Sequence, residues 1–127
     1  MTRAVRGAIQ VAVDDRQVIH EAGIRLVRAV LQANGLAEPD LVSLVFSLTA
    51  DLRSGNPATG LRREGFADVP LFCVQEASVE GAMPRVIRLL ATFEAPASWI
   101  AAGQTRAEAV YLEGARELRP DLRAERG

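Results

Sequence analysis

Two apolar runs near the middle of the chain carry charges that neither can bury alone. The first, Val69-Pro70-Leu71-Phe72-Cys73-Val74-Gln75-Glu76, has five apolar residues in eight and reads as a buried strand. It holds the only cysteine of the chain and ends in a carboxylate. The second, Val86-Ile87-Arg88-Leu89-Leu90-Ala91-Thr92-Phe93, sets an arginine inside a segment apolar enough for a sheet interior. An unpaired guanidinium is costly there, so an anion must meet Arg88, and Glu76 and a bound ligand are the candidates. Parity adds a constraint, because Cys73 and Glu76 point to opposite faces of a regular strand. Either the strand ends or bends before Glu76, or its two faces serve different sites.

The remaining segments supply a scaffold for this pair. Ala4 to Val13 reads as a strand whose one charge is Arg6 and whose Gly7 lets another backbone or a ligand come close. Asp14 is the expected N-cap of a helix, with Gln17 in the capping-box position. Ile19, Ala22, Gly23, Leu26, Val27, Val30 and Leu31 then form one apolar stripe, and Gly35 is the stop. His20 lies off the stripe beside Glu21 and reads as a surface residue. Leu41 to Thr49 reads as a second buried strand, and Asp51 to Asn56 as a loop. Asn56-Pro57 opens a short helix that reaches Glu64 and ends at Gly65. A helical turn is expected under Trp99, a short strand over Ala107 to Glu113, and a turn over Leu118-Arg119-Pro120-Asp121-Leu122. Four or five strands with one long and one short helix predict a single mixed α/β domain over residues 1–122, followed by a polar tail over 123–127.

Composition removes several chemistries. A chain of 127 residues with 49% hydrophobic and 24% charged residues makes one ordinary globular domain. A formal charge of −1 gives no bias towards nucleic acid or anionic membranes. All 15 basic residues are arginines, which excludes lysine Schiff-base chemistry. One cysteine permits no internal disulfide, and with one histidine it cannot complete a zinc site. No apolar run approaches the ~20 residues of a membrane span, and the expected setting is soluble, reducing and cytoplasmic.

No base is placed beside Cys73, and no glycine-rich phosphate loop is present. Arg6, Arg88, Glu76, Tyr111 and Cys73 remain. As a set they suit holding a small dianion and stabilising charge shifts within it without a covalent step. Taken singly, Cys73 reads as a small core residue and Tyr111 as a core ring with its hydroxyl at the edge.

The ordered motifs Val5-Arg6-Gly7-Ala8, Thr49-Ala50-Asp51-Leu52, Val69-Pro70-Leu71, Cys73-Val74-Gln75-Glu76, Val86-Ile87-Arg88 and Val110-Tyr111-Leu112-Glu113 resemble the monofunctional bacterial chorismate mutases of the trimeric α/β class. The resemblance runs to Leu118-Arg119-Pro120-Asp121-Leu122. It implies rearrangement of chorismate to prephenate without cofactor, metal or covalent intermediate. It also implies a homotrimer with a barrel-like core of sheets and sites between subunits. By resemblance Arg88 meets the ether oxygen of the breaking C–O bond, and Glu76 accepts from the ring hydroxyl with Cys73 nearby. Arg6 and Tyr111 hold carboxylates, while Arg62 and Arg119 sit at the mouth. Phe72, Val74, Gln75, Asn56, Thr59 and Leu118 line the substrate. Asn56, Thr59 and Phe72 depart from the family pattern, which keeps two alternatives open: a same-fold enzyme for a chorismate-like analogue, and a non-catalytic trimer that binds a small acid.

Overall fold

The computed structural model describes residues 1–118. Five strands form one mixed sheet in the order β3-β2-β4-β1-β5. They are β1 (Thr2–Gln10), β2 (Leu41–Leu48), β3 (Leu71–Gln75), β4 (Val86–Glu94) and β5 (Val110–Leu112). The central strand β4 runs antiparallel to β1 and β2, and β5 and β3 add parallel to those two at the edges. Helix α1 (Arg16–Asn34) links β1 to β2, and α2 (Pro57–Arg63) links β2 to β3. The turn expected around Trp99 is a third helix, α3 (Ala97–Ala102), between β4 and β5.

One sheet face is packed, and the other is covered only at its β5 end, over Ala8 and Val86. Val5 and Ile9 of β1, Leu44 and Phe46 of β2, and Ile87, Leu89 and Phe93 of β4 alternate inward onto the Leu26, Val27 and Val30 stripe of α1. Gly7 gives way to that helix: a Cβ there would stand 3.1 Å from Leu26 and 3.2 Å from Val30. At Gly23 a Cβ would meet Pro57 at 2.6 Å, so the glycine sets how closely α2 lies on α1. Trp99 sits edge-on to Phe93 with centroids 5.3 Å apart. Its indole N–H donates to the Asn34 carbonyl at 2.8 Å, which satisfies the one polar atom of the buried ring.

Several sequence expectations shift. The N-cap of α1 is Asp15, whose carboxylate accepts from Val18 N at 3.1 Å, and not Asp14. Asp14 instead accepts from the backbone N–H groups of Arg53 and Ser54, which holds its carboxyl below the usual range. Gln17 forms no capping box and donates to Glu21. β1 starts two residues earlier than expected and ends at Gln10. His20 is buried, not a surface residue, because α2 covers it; a Cβ on Gly60 would meet the His20 Cβ at 2.9 Å. The expected buried strand at 69–76 is an edge strand with Phe72 65% and Val74 41% exposed. Val69, Leu71 and Cys73 pack on the core, and Phe72 and Val74 belong to the uncovered face. A six-residue 3-10 helix (Glu113–Leu118) follows β5. Arg119 and the turn and tail beyond it lie outside the described residues.

Candidate active site

The bare face carries the charged pair. Because β4 is central and antiparallel to both neighbours, Arg88 lies between Ser47 of β2 and Ala8 of β1, and Ala8 lies beside Tyr111 of β5. The next row holds Phe72, Val45, Leu90 and Arg6 in register. Arg6, Arg88, Tyr111, Phe72 and Val74 therefore share one face. Around Tyr111, the side chains of Ala8, Val86, Ala115, Met83 and Leu118 close a small apolar cluster at the β5 edge.

Glu76 follows β3 and continues its ladder, donating its N–H to the Leu48 carbonyl at 2.8 Å. Its side chain thus keeps the parity of Val74 and turns to the bare face. There Glu76 Oε1 stands 2.7 Å from Arg88 Nε and accepts from Ser47 Oγ at 2.8 Å. The anion required by Arg88 is Glu76. The expected burial is not present in a single chain, however, since the two side chains are 38% and 21% exposed. An ion pair made through Nε leaves donors at the Nη end of the fork for a second oxygen.

The start of β4 is pinned, which fixes the aim of Arg88 three residues on. Asp51 accepts from Arg85 N at 3.0 Å, and Thr49 Oγ1 accepts from Val86 N at 3.0 Å while donating to Asp51 at 2.6 Å. Arg85 takes a positive φ of 53° and donates through Nε to the Val11 carbonyl. The Thr49-Ala50-Asp51 motif is thus a clamp on β4.

Cys73 and Glu76 lie on opposite faces, as strand parity requires. Cys73 packs against the core and lines a second cleft with Asn56, Gln75, Leu48, Leu52 and the edge of Val74. Burial pushes its thiol up, so it stays neutral at pH 7. Asn56 caps α2 by accepting from Ala58 N at 2.9 Å. Arg62 is turned to local carbonyls, donating to those of Phe66, Ala67 and Val69 at 2.8, 2.7 and 3.1 Å. Thr59 lies in a separate cavity beside Arg63. Sequence reasoning missed Ser47. Its signal is a hydroxyl on the outward parity of β2, in register with the one arginine of β4.

One chain therefore presents a charged pair on the outer sheet face and, behind β3, a cleft with a thiol. No described imidazole adjoins the thiol, since His20 lines another cavity.

Comparison with known proteins gives the family. The family model "Chorismate mutase type I" matches residues 2–122, and the chain belongs to this family of isomerases. It is 41% identical over 123 residues to the chorismate mutase AroH of Thermus thermophilus, covering 96% of this chain and 97% of that one. To the AroH of Bacillus subtilis it is 32% identical over 123 residues, covering 96% and 93%. The solved structure of a chorismate mutase from Clostridium thermocellum superposes with a TM-score of 0.78 at 28% identity, covering 90% of this chain and 97% of that one. Among the described residues no helix is long and apolar enough to cross a membrane.

Proposed function

We propose that the chain converts chorismate to prephenate at sites formed between copies of itself in a homotrimer. The observation that carries this reading is the Arg88–Glu76 pair, presented on a sheet face that is apolar but uncovered. Phe72, Val74 and Leu90, 65%, 41% and 44% exposed, surround it. A face of this kind is stable when another surface covers it. A second copy can bring its Cys73 cleft against the Arg88 face, joining the two half-sites into one enclosed pocket.

In that pocket the rearrangement breaks a C–O bond as a C–C bond forms, with no proton removed. Negative charge grows on the ether oxygen, where the Nη donors of Arg88 await it. Glu76, held by Ser47, accepts from the ring hydroxyl on the side that becomes positive. Arg6 and Tyr111 hold carboxylates, so the substrate is kept in its reactive conformer. Electrostatic preorganisation and orientation are the two terms such a site supplies. In this reading Leu118 closes the β5 side of the pocket and Arg62 stands at its mouth, while Arg119 lies outside the described residues.

The analogue reading is weaker, because Asn56 already has a structural task as the α2 cap. The test is direct: purified chain and chorismate, followed by loss of chorismate absorbance and acid conversion of the product to phenylpyruvate. Turnover is expected, with chorismate preferred over amino-substituted analogues. Binding of a bicyclic transition-state mimic without turnover would overturn the proposal.

A further inference from the structure

The Arg88–Glu76 pair meets through a single oxygen, although arginine and carboxylate commonly close on each other through two. Glu76 Oε1 stands 2.7 Å from Arg88 Nε. Oε2 accepts no hydrogen bond from a described residue, and among the described residues none accepts from the Arg88 Nη groups. Nothing in the placement of Glu76 itself prevents closure of the fork. It stands one residue past β3, whose ladder with β2 stops at the Gln75–Leu48 pair. Its last side-chain torsion is broad and roughly two-fold, so its own backbone sets neither the plane of the carboxylate nor the oxygen that leads.

Ser47 accounts for the open arrangement. It lies in β2, paired with Val74 of β3 on one side and Arg88 of β4 on the other. Its hydroxyl follows one torsion from a backbone held on both sides, so its place is set by the sheet. From there Ser47 Oγ donates to Glu76 Oε1 at 2.8 Å, the oxygen that already faces Arg88 Nε. A hydrogen bond to such an oxygen is favoured near the plane of its group, so this bond fixes the carboxylate plane. Both partners load Oε1, which leaves the acceptor capacity of Oε2 and the donors at Nη unspent. A carboxylate rotated about its Arg88 contact would instead engage Oε2 with Nη, and each group would be used up on the other.

We infer that Ser47 is a positioning residue that keeps the Arg88–Glu76 pair open, so that Oε2 and the Nη donors stay available to a substrate. What they meet there, the ring hydroxyl at Oε2 and the ether oxygen at Nη, rests on the chorismate reading. Ser47 itself touches no reacting atom and acts through Glu76. In a Ser47→Ala chain the fork closes: the ion pair gains a second contact, and the site loses an acceptor and a donor together. Activity falls while the fold keeps its stability. A serine needed for the fold alone would lower both.

Four chains test this: the parent, Ser47→Ala, Glu76→Ala and the double variant. Each is measured for kcat, for thermal melting, and for affinity to the bicyclic transition-state mimic by calorimetry. Ser47→Ala is expected to lower kcat and mimic affinity by about tenfold or more, the scale of a hydrogen bond to a charged group, with Tm unchanged or raised. Ser47→Thr keeps the hydroxyl, suits a strand, and restores most of both. With the carboxylate gone the serine has nothing to hold, so adding Ser47→Ala to Glu76→Ala changes either quantity by no more than about twofold. A loss of about tenfold in that background overturns the inference, as does undiminished mimic binding in a folded Ser47→Ala chain. A parent chain that binds the mimic without turnover overturns the chorismate reading alone, and one that does not bind it overturns both.

Discussion

Substituting Arg88 separates catalysis from stability. Arg88 Nε and Glu76 Oε1 are 2.7 Å apart, with side chains 38% and 21% exposed. In the single chain a pair this open contributes at most about 1 kcal/mol to folding. Arg88→Ala also leaves Glu76 its bond from Ser47 at 2.8 Å, so the carboxylate keeps a donor. The Tm of the variant therefore falls by no more than about 5 °C. Under the proposed role the transition state loses far more, a preorganised donor aimed at the oxygen that gains charge. The expected loss in kcat is about 10²–10³, or roughly 2.7–4 kcal/mol. Arg88→Lys loses a similar factor, because one ammonium cannot hold Glu76 and present a second donor in the plane of the fork. Initial rates of chorismate loss and thermal melts on the same preparations give both quantities. An Arg88→Ala chain within tenfold of the parent kcat would refute the reasoning, and so would a fully active Arg88→Lys chain.

Other substitutions probe the surrounding structure. Leu90→Arg places a third cation between Arg6 and Arg88 on the bare face, and sedimentation should find folded monomers; an intact trimer would show that another surface assembles it. Asn34 is 3% exposed, accepts from Glu108 N at 2.6 Å and donates to the Val30 and Glu108 carbonyls at 2.9 and 3.0 Å. Asn34→Ala should cost about 2–4 kcal/mol in urea unfolding, and less than 1 kcal/mol would contradict these bonds. Burial, then the charges of Arg63 and Arg16, lower the His20 value below its ordinary 6.5. The folded state therefore favours the neutral ring. Stability is full above about pH 6.5 and declines as pH falls through that value, because the unfolded chain binds the proton first. His20→Gln should flatten this part of the stability–pH curve.

Much of the frame is legible from local pattern. The Ile19 to Val30 stripe, Gly35 and the Asn56-Pro57 cap each depend on neighbours a few residues away, and each is observed. What local pattern misses depends on distant partners. His20 lies off the stripe of its own helix and is buried by Gly60, forty residues on. Asp14 and Asp15 are both sound caps, and only the loop at Arg53 decides between them. The apolar 69–76 run suits a buried strand and an uncovered edge strand equally well, because hydrophobicity does not reveal which surface covers it. The Arg88–Glu76 pairing was readable because a charge in an apolar run demands a partner. Ser47 is not legible in the same way, since a lone serine in a strand signals nothing until register places it beside Arg88. Parity leaves open whether the strand bends before Glu76, and the ladder bond from Glu76 N to the Leu48 carbonyl decides that Cys73 and Glu76 face opposite ways.

Subunit mixing tests the sharing of sites between chains most directly. Arg88→Ala disables the sheet-face half, and Ala50→Trp fills the cleft half from an exposed position that lines it. Each variant alone should be nearly inactive. After the two are unfolded together and refolded at equal amounts, each mixed trimer regains one intact interface, and activity should return to about a quarter of the parent level. No recovery on mixing, from two variants that each refold into trimers, would mean that the site lies within one chain.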